Sequence, residues 1–261
     1  MKIGYLGGGT WGSALAALLA EKEYEVVVWE RDPVLLRILD KERRHPKLPG
    51  FTVPKNICFT DSLSEVLQGL DLLVESVTSS GVRPVFTQIA SLGGANCPIV
   101  LTSKGIEQGT DLLLPEIVVQ LLGENSRNQV GCLSGPSHAE EVIRHLPPAI
   151  VSSSYDAKLM QWIGETFTTN YFRIYPNADI LGVCFGGAMK NCIAIACGIS
   201  DGLEFGDNTK AALMTRGLHE MRKLAVAYGC NPETLNGLSG LGDLFVTCAS
   251  TLSRNYRFGR L

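Results

Sequence analysis

The 261-residue chain lacks the patterns that most readily announce metal or hydrolytic chemistry. Its eight cysteines, Cys58, Cys97, Cys132, Cys184, Cys192, Cys197, Cys230 and Cys248, form no C-x-x-C pair, and its four histidines form no H-E-x-x-H. The usual zinc spacings are therefore missing, and no metal is expected. No serine sits in G-x-S-x-G, so a serine hydrolase has no support. The N-terminus reads directly as a strand, without the ordered n-region, apolar segment and cleavage site of a secretory signal. An excess of charge of either sign is also missing. A net charge of −3 leaves no basic footprint for nucleic acid or an anionic membrane, and the run Lys41, Arg43, Arg44, His45 reads as a solvated loop. With 45% hydrophobic and 19% charged residues the composition is that of an ordinary soluble protein, long enough for two domains. Most cysteines lie in apolar runs, which suits buried reduced thiols in the cytoplasm. A small-molecule partner is expected.

Charge is scarcest between Ile180 and Ser200, where ILGVCFGGAMKNCIAIACGIS carries Lys190 alone. An ammonium among apolar side chains is costly unless it is paired or works in its neutral form. Helical spacing places Gly186 and Gly187 one turn before Lys190, leaving bare backbone against which a ligand would fit. The stretch is long enough to cross a membrane, but its glycines, Asn191 and the central lysine argue against a span.

The first half alternates short apolar runs with amphipathic segments. Strands are predicted at 3–6, 25–29, 57–59, 72–77, 99–102, 130–133, 149–152 and 171–175. This alternation predicts an α/β N-terminal domain, residues 1–176, with a doubly wound, Rossmann-like and mainly parallel sheet. After the Pro176-Asn177 turn, helices predicted at 181–199, 210–228 and 232–235 make residues 177–261 an all-α C-terminal domain.

Gly7-Gly8-Gly9-Thr10-Trp11-Gly12 fits G-x-G-x-x-G between strand 3–6 and a helix predicted over 13–21. In that context Gly7 permits the tight turn, Gly9 lets backbone approach a pyrophosphate, and Gly12 allows close helix–strand packing. Eighteen residues after Gly12 stands Glu30, suited to the adenine ribose hydroxyls of NAD, while Arg31 beside it suits the 2′-phosphate of NADP. The two residues point to different cofactors. Lys104 follows a strand, at the sheet edge where such folds bind ligands, and is a candidate donor to a substrate oxygen. Ser134-Gly135-Pro136-Ser137-His138-Ala139-Glu140 also follows a strand, and Ser137 with Glu140 reads as a capping box whose amides would also suit an anion. Ser253, Arg254 and Asn255 combine a guanidinium fork with neutral donors and suit a phosphate. Asp243, in Gly240-Leu241-Gly242-Asp243, would take a proton or orient Lys190.

Taken in order, GGGTWG, TSKGIEQGT, LSGPSHAEE, GGAMKNCIAIACGISDGLEFGDN, KAALMTRGLHEM, GLSGLGDLFVTC and SRNYRFG resemble the bacterial NAD(P)-dependent glycerol-3-phosphate dehydrogenases, from residue 3 to the last residue. The resemblance implies interconversion of sn-glycerol 3-phosphate and dihydroxyacetone phosphate, supplying phospholipid backbones. It implies that Lys190 is the catalytic proton acceptor, assisted by Lys104 and Asp243. It assigns substrate to Lys104, Gly135, Ser137, Lys190, Asp243, Ser253, Arg254 and Asn255, and cofactor to Thr10, Trp11, Arg31, Lys104, Ala139 and Arg254. A homodimer is expected.

The chain departs from the pattern at Cys184, where a glutamate is usual, and at Glu75-Ser76, where neutral residues are commoner. Members of the family also continue for several tens of residues, including a glutamate that closes over the cofactor, so the resemblance implies a fragment of a longer product. Two other readings compete. One is a related two-domain dehydrogenase of a 2- or 3-hydroxy acid, with Arg254 on a carboxylate. The other is a nucleotide-binding regulator without turnover, against which the Lys190, Asp243 and Ser253-Arg254-Asn255 set speaks.

Overall fold

The computed structural model describes residues 1–261. Ten strands are formed: β1 (Lys2–Leu6), β2 (Glu25–Trp29), β3 (Arg44–His45), β4 (Leu48–Thr52), β5 (Ile57–Thr60), β6 (Leu72–Glu75), β7 (Ile99–Leu101), β8 (Val130–Ser134), β9 (Ala149–Ser154) and β10 (Arg173–Pro176). Eight of them make one sheet in the order β10-β9-β8-β7-β6-β1-β2-β5. Every neighbouring pair is parallel except β8 and β9. The chain leaves β1 toward β2 and β5, then returns to lay β6 against the other side of β1. The strand order therefore reverses between β1 and β6, and the crevice beyond their carboxyl ends is where such sheets bind ligands.

Seven helices accompany this sheet: α1 (Thr10–Glu21), α2 (Pro33–Arg37), α3 (Leu63–Val66), α4 (Ser79–Ser91), α5 (Leu114–Leu122), α6 (Ala139–Val142) and α7 (Ala157–Phe167). Strands buried on both faces explain the continuous apolar runs of the sequence. One face joins Ile3, Tyr5, Val26, Val28 and Val74 to Leu15 and Leu18 of α1 and to Ile163 of α7. The other joins Leu6, Val27 and Leu73 to Phe86 and Ile89 of α4 and to Ile117 of α5.

Four helices follow: α8 (Ile180–Gly202), α9 (Gly206–Ala227), α10 (Asp243–Ala249) and α11 (Arg254–Arg260), with short 3-10 and π turns at Pro232–Asn236 and Leu238–Gly242. Their own core gathers Phe185, Ala194, Cys197, Met221, Leu235, Leu244, Cys248 and Tyr256. By length and composition α8 would pass for a membrane span, yet half of its most apolar window is buried inside the molecule. Asp179 caps its start by accepting from the Gly182 amide, and Asp201 near its end takes the Lys210 ammonium of α9 at 2.6 Å and the Tyr256 hydroxyl of α11. All eight cysteines are free, and five are buried.

Two local expectations are corrected and a third is refined. The basic run is no uniform solvated loop: Arg43 adopts φ 49°, its guanidinium donates to the Ile57 carbonyl at 2.8 Å, and His45 is buried in the small β3–β4 hairpin. Ser137 does not cap α6, because His138 occupies that position without a side-chain bond and the Ser137 hydroxyl donates to the Gly135 carbonyl instead. The helix predicted over 232–235 is present as a 3-10 helix, Pro232–Asn236, which Asn231 caps.

Candidate active site

Lys190 lies in the middle of α8, 8% exposed, and its ammonium meets Asp243 Oδ1 at 2.5 Å. Asp243 opens α10 and is 1% exposed, and its other oxygen accepts from Lys104 at 2.6 Å. Lys104 reaches there from the loop after β7 and donates also to the Gly135 carbonyl beyond β8, at 3.0 Å. One carboxylate thus joins two lysines that are far apart in sequence, one from the sheet and one from the helical part. Each ammonium has three hydrogens. Lys104 spends two on protein and keeps one, whereas Lys190 spends one and keeps two.

Burial pushes the Lys190 ammonium down to about 7, the Lys104 charge adds to the fall, and Asp243 opposes it. A lysine in that range passes easily between its charged and neutral forms near neutrality, as a general acid or base requires.

The glycines beside Lys190 serve the protein rather than open space. A Cβ on Gly187 would meet Ser134 Oγ at 2.9 Å and the Lys104 stem at 3.2 Å, and one on Gly186 would meet the Ser239 carbonyl at 2.6 Å. The bare backbone read from sequence as room for a ligand is filled by the Lys104 side chain and by the turn that delivers Asp243. Ser134 is a residue the spacing does not single out. Its hydroxyl is buried without a partner beside Gly187, and the only signal was its place at the carboxyl end of β8.

At the strand-order reversal the glycine loop behaves differently. Gly7, at φ +100°, passes so close to β6 that a Cβ would lie 2.9 Å from the Ser76 carbonyl, and a Cβ on Gly12 would run into Gly7 itself. Gly9 has nothing within 4 Å of where its Cβ would be, and as the residue before α1 it supplies no side-chain cap. The first-turn amides of a full-length helix thus face an open cradle, which fits a pyrophosphate. Thr10 and Trp11 form that turn, both half-buried. Glu30 accepts from the Gly8 amide at 2.7 Å and from the Asp32 amide at 2.8 Å, so both of its oxygens brace the loop, while Arg31 is exposed. Ala139 is buried in the first turn of α6.

Ser253, Arg254 and Asn255 begin α11. The Ser253 oxygen caps that helix by accepting from the Tyr256 amide at 3.2 Å, and Arg254 is exposed. No hydrogen bond ties these three to the Lys104–Asp243–Lys190 cluster, whereas Gly135 and, through it, Ser137 belong to the cluster directly. No group of three or more His, Cys, Asp and Glu side chains is placed to hold a metal ion.

Comparison with known proteins gives the family of the chain. The family model for the NAD-dependent glycerol-3-phosphate dehydrogenase N-terminus matches residues 2–160, and that for its C-terminus matches residues 179–261. A glycerol-3-phosphate dehydrogenase of the NAD(P)+ type from Protochlamydia amoebophila is 59% identical over 260 residues, covering 100% of this chain and 78% of the relative. The Chlamydia pneumoniae protein of the same name is 54% identical, covering 99% of this chain and 78% of its own length. Among solved structures, the glycerol-3-phosphate dehydrogenase of Coxiella burnetii superposes with a TM-score of 0.93 at 39% identity, over 99% of this chain and 78% of that one. With both halves of the chain matched, the protein belongs to the NAD-dependent glycerol-3-phosphate dehydrogenase family.

Proposed function

We propose that this member of the family interconverts dihydroxyacetone phosphate and sn-glycerol 3-phosphate, with Lys190 as the residue that gives and takes the proton at the C2 oxygen. The observation that carries the reading is the single buried carboxylate shared by Lys190 and Lys104. It holds the two lysine head groups side by side, one carried by the segment after β7 and the other by α8.

The glycine loop, with Thr10 and Trp11, would hold the dinucleotide, and Arg31 and Ala139 would contribute to its site. When bound, the nicotinamide supplies or receives the hydride at C2. In the reductive direction Lys190, as an ammonium, donates to the ketone oxygen and polarises it as negative charge develops there. In the oxidative direction neutral Lys190 takes the C2 hydroxyl proton. Asp243 fixes the direction of both lysines and offsets the cost of burying them. The spare hydrogen of Lys104 serves a substrate oxygen. Arg254, Asn255 and the Ser253 hydroxyl supply the fork and neutral donors for the phosphate, and the Ser137 hydroxyl joins them only by leaving the Gly135 carbonyl. The exposed Arg31, next to a Glu30 committed to backbone amides, supports use of NADPH as well as NADH.

The same reading places the division between the two domains at 176/177, where β10 ends and the chain turns into α8. It further makes the protein a cytoplasmic homodimer whose product feeds phospholipid synthesis.

The test is direct. Wild-type protein should reduce dihydroxyacetone phosphate with NADH and with NADPH, and Lys190→Ala should lose about a thousandfold in kcat while its NADH Kd stays within about twofold. Wild-type-like turnover by the variant would refute the role of Lys190, and turnover of a 2- or 3-hydroxy acid in preference to the phosphate would refute the substrate.

A further inference from the structure

Glu75 closes β6 beside the strand-order reversal, is 0% exposed, and takes part in no ion pair. Its neighbours are hydroxyls and amides. The Ser103 Oγ lies 2.7 Å from Glu75 Oε1 and is also bonded to the Val77 carbonyl, for which no other partner is found. A serine hydroxyl has one hydrogen to give. It cannot serve a carboxylate and a carbonyl together, so both contacts are hydrogen bonds only when the second proton sits on the carboxyl group. The chain then runs from the Glu75 O–H to Ser103 Oγ and from the Ser103 O–H to the Val77 carbonyl.

A parallel chain beside it obeys the same count. Thr102 Oγ1 donates to the Glu75 carbonyl at 2.7 Å, so Ser76 must donate to Thr102 and Tyr5 to Ser76. Together the two chains pin the segment Thr102-Ser103, whose next residue is Lys104.

We propose that Glu75 is a positioning residue that works as a neutral carboxylic acid, holding the Ser103–Lys104 segment so that Lys104 reaches Asp243 and Gly135. The proposal rests on the active-site reading above for its effect on turnover, but not for the protonation itself. The groups that face Glu75 leave it without a counter-charge. From β1 comes the Tyr5 phenol, itself pushed upward by burial. From the segment after β7 come Thr102 and Ser103, with the Lys104 ammonium committed to Asp243 and Gly135. On α4, Arg83 is forked onto Glu107 and makes no ion pair with Glu75. Burial accordingly pushes the Glu75 carboxyl up to about 7, against the pull of the Ser103, Val77 and Thr102 bonds. The sign follows: below that pH the acid is neutral and both bonds stand. Above it the Ser103 proton turns to the carboxylate, the Val77 carbonyl is orphaned, and the Lys104 segment loosens.

Glu75→Gln keeps a donor toward Ser103 at every pH. Its kcat/KM for dihydroxyacetone phosphate should match wild type in mild acid, and the ratio of variant to wild type should rise about tenfold as the pH passes from below to well above neutral. Taking the ratio removes the titration of Lys190 and of the substrate phosphate, which both proteins share. A flat ratio overturns the proposal. Isotope-edited NMR of the glutamate side-chain carboxyls in the wild-type protein provides a second readout that needs no turnover and no stable variant. One carboxyl should titrate near neutrality, and a full set titrating in the ordinary acidic range overturns the proposal whatever the enzyme's substrate proves to be.

Discussion

Two glycine-rich regions of this chain look alike in sequence and do opposite things. At Gly9 the missing side chain leaves open space at the start of α1, and at Gly186 and Gly187 the missing side chains are replaced by other parts of the protein. The first is a site kept clear for a ligand; the second is a close fit that lets Lys104 and the Asp243 turn approach α8. What separates them is the surrounding topology. A glycine at the carboxyl end of a central strand faces the crevice, while one in the middle of a helix packed on three sides faces neighbours.

The sharpest way to break that comparison is to put the same methyl group in both places. Gly187→Ala brings a Cβ to 2.9 Å from Ser134 Oγ and 3.2 Å from the Lys104 stem, so the stem must give way and the Lys104 contact with Asp243 is displaced from its best geometry. It should lower kcat/KM for dihydroxyacetone phosphate about a hundredfold with little change in NADH affinity, measured by steady-state kinetics and fluorescence titration. Near-normal turnover would mean that the close fit is slack.

A smaller effect comes from pH. Because burial lowers the Lys190 ammonium to about 7, reduction, which needs the charged form, should lose about tenfold in kcat/KM per unit on the alkaline side, and oxidation should lose the same on the acid side. Profiles of both directions should therefore cross near neutrality, and limbs that fall together would assign the proton to another group.

The mildest change is Gly9→Ala. Its backbone, at φ −61° and ψ 179°, suits alanine, and no protein atom meets the new methyl group, so thermal stability should hold. The NADH Kd should nevertheless rise by about tenfold, because the methyl group enters the space a pyrophosphate needs. Loss of stability with unchanged Kd would reverse the contrast with Gly187.

Much of the fold was legible because its signals are local. The strand, glycine loop and helix around Gly7–Gly12 stand within twenty residues, and the alternation of apolar runs with amphipathic segments reports a sheet covered on both faces. The single charge between Ile180 and Ser200 drew attention to Lys190 through the cost of burying an ammonium, and the side chain is buried. What stayed hidden is long-range or too short to be periodic. The partners of Asp243 lie 53 and 139 residues away, and nothing in spacing reveals that one carboxylate serves both lysines. The β3–β4 hairpin, whose second strand is Leu-Pro-Gly-Phe-Thr, shows no alternation and buries His45 by tertiary packing. Ser137 and Glu140 have the spacing of a capping box, but α6 begins at Ala139 with His138 at the cap position, one residue too late for Ser137.

The shared carboxylate is also a fastener. Asp243 rivets the sheet, through Lys104, to the helical part, through Lys190, and it does so almost out of contact with water. Small separations of the two parts would stretch ion contacts while solvent is still too bulky to enter and replace them. The junction at Asp243 is therefore stiff against slight separation and yields only to a displacement wide enough to admit water.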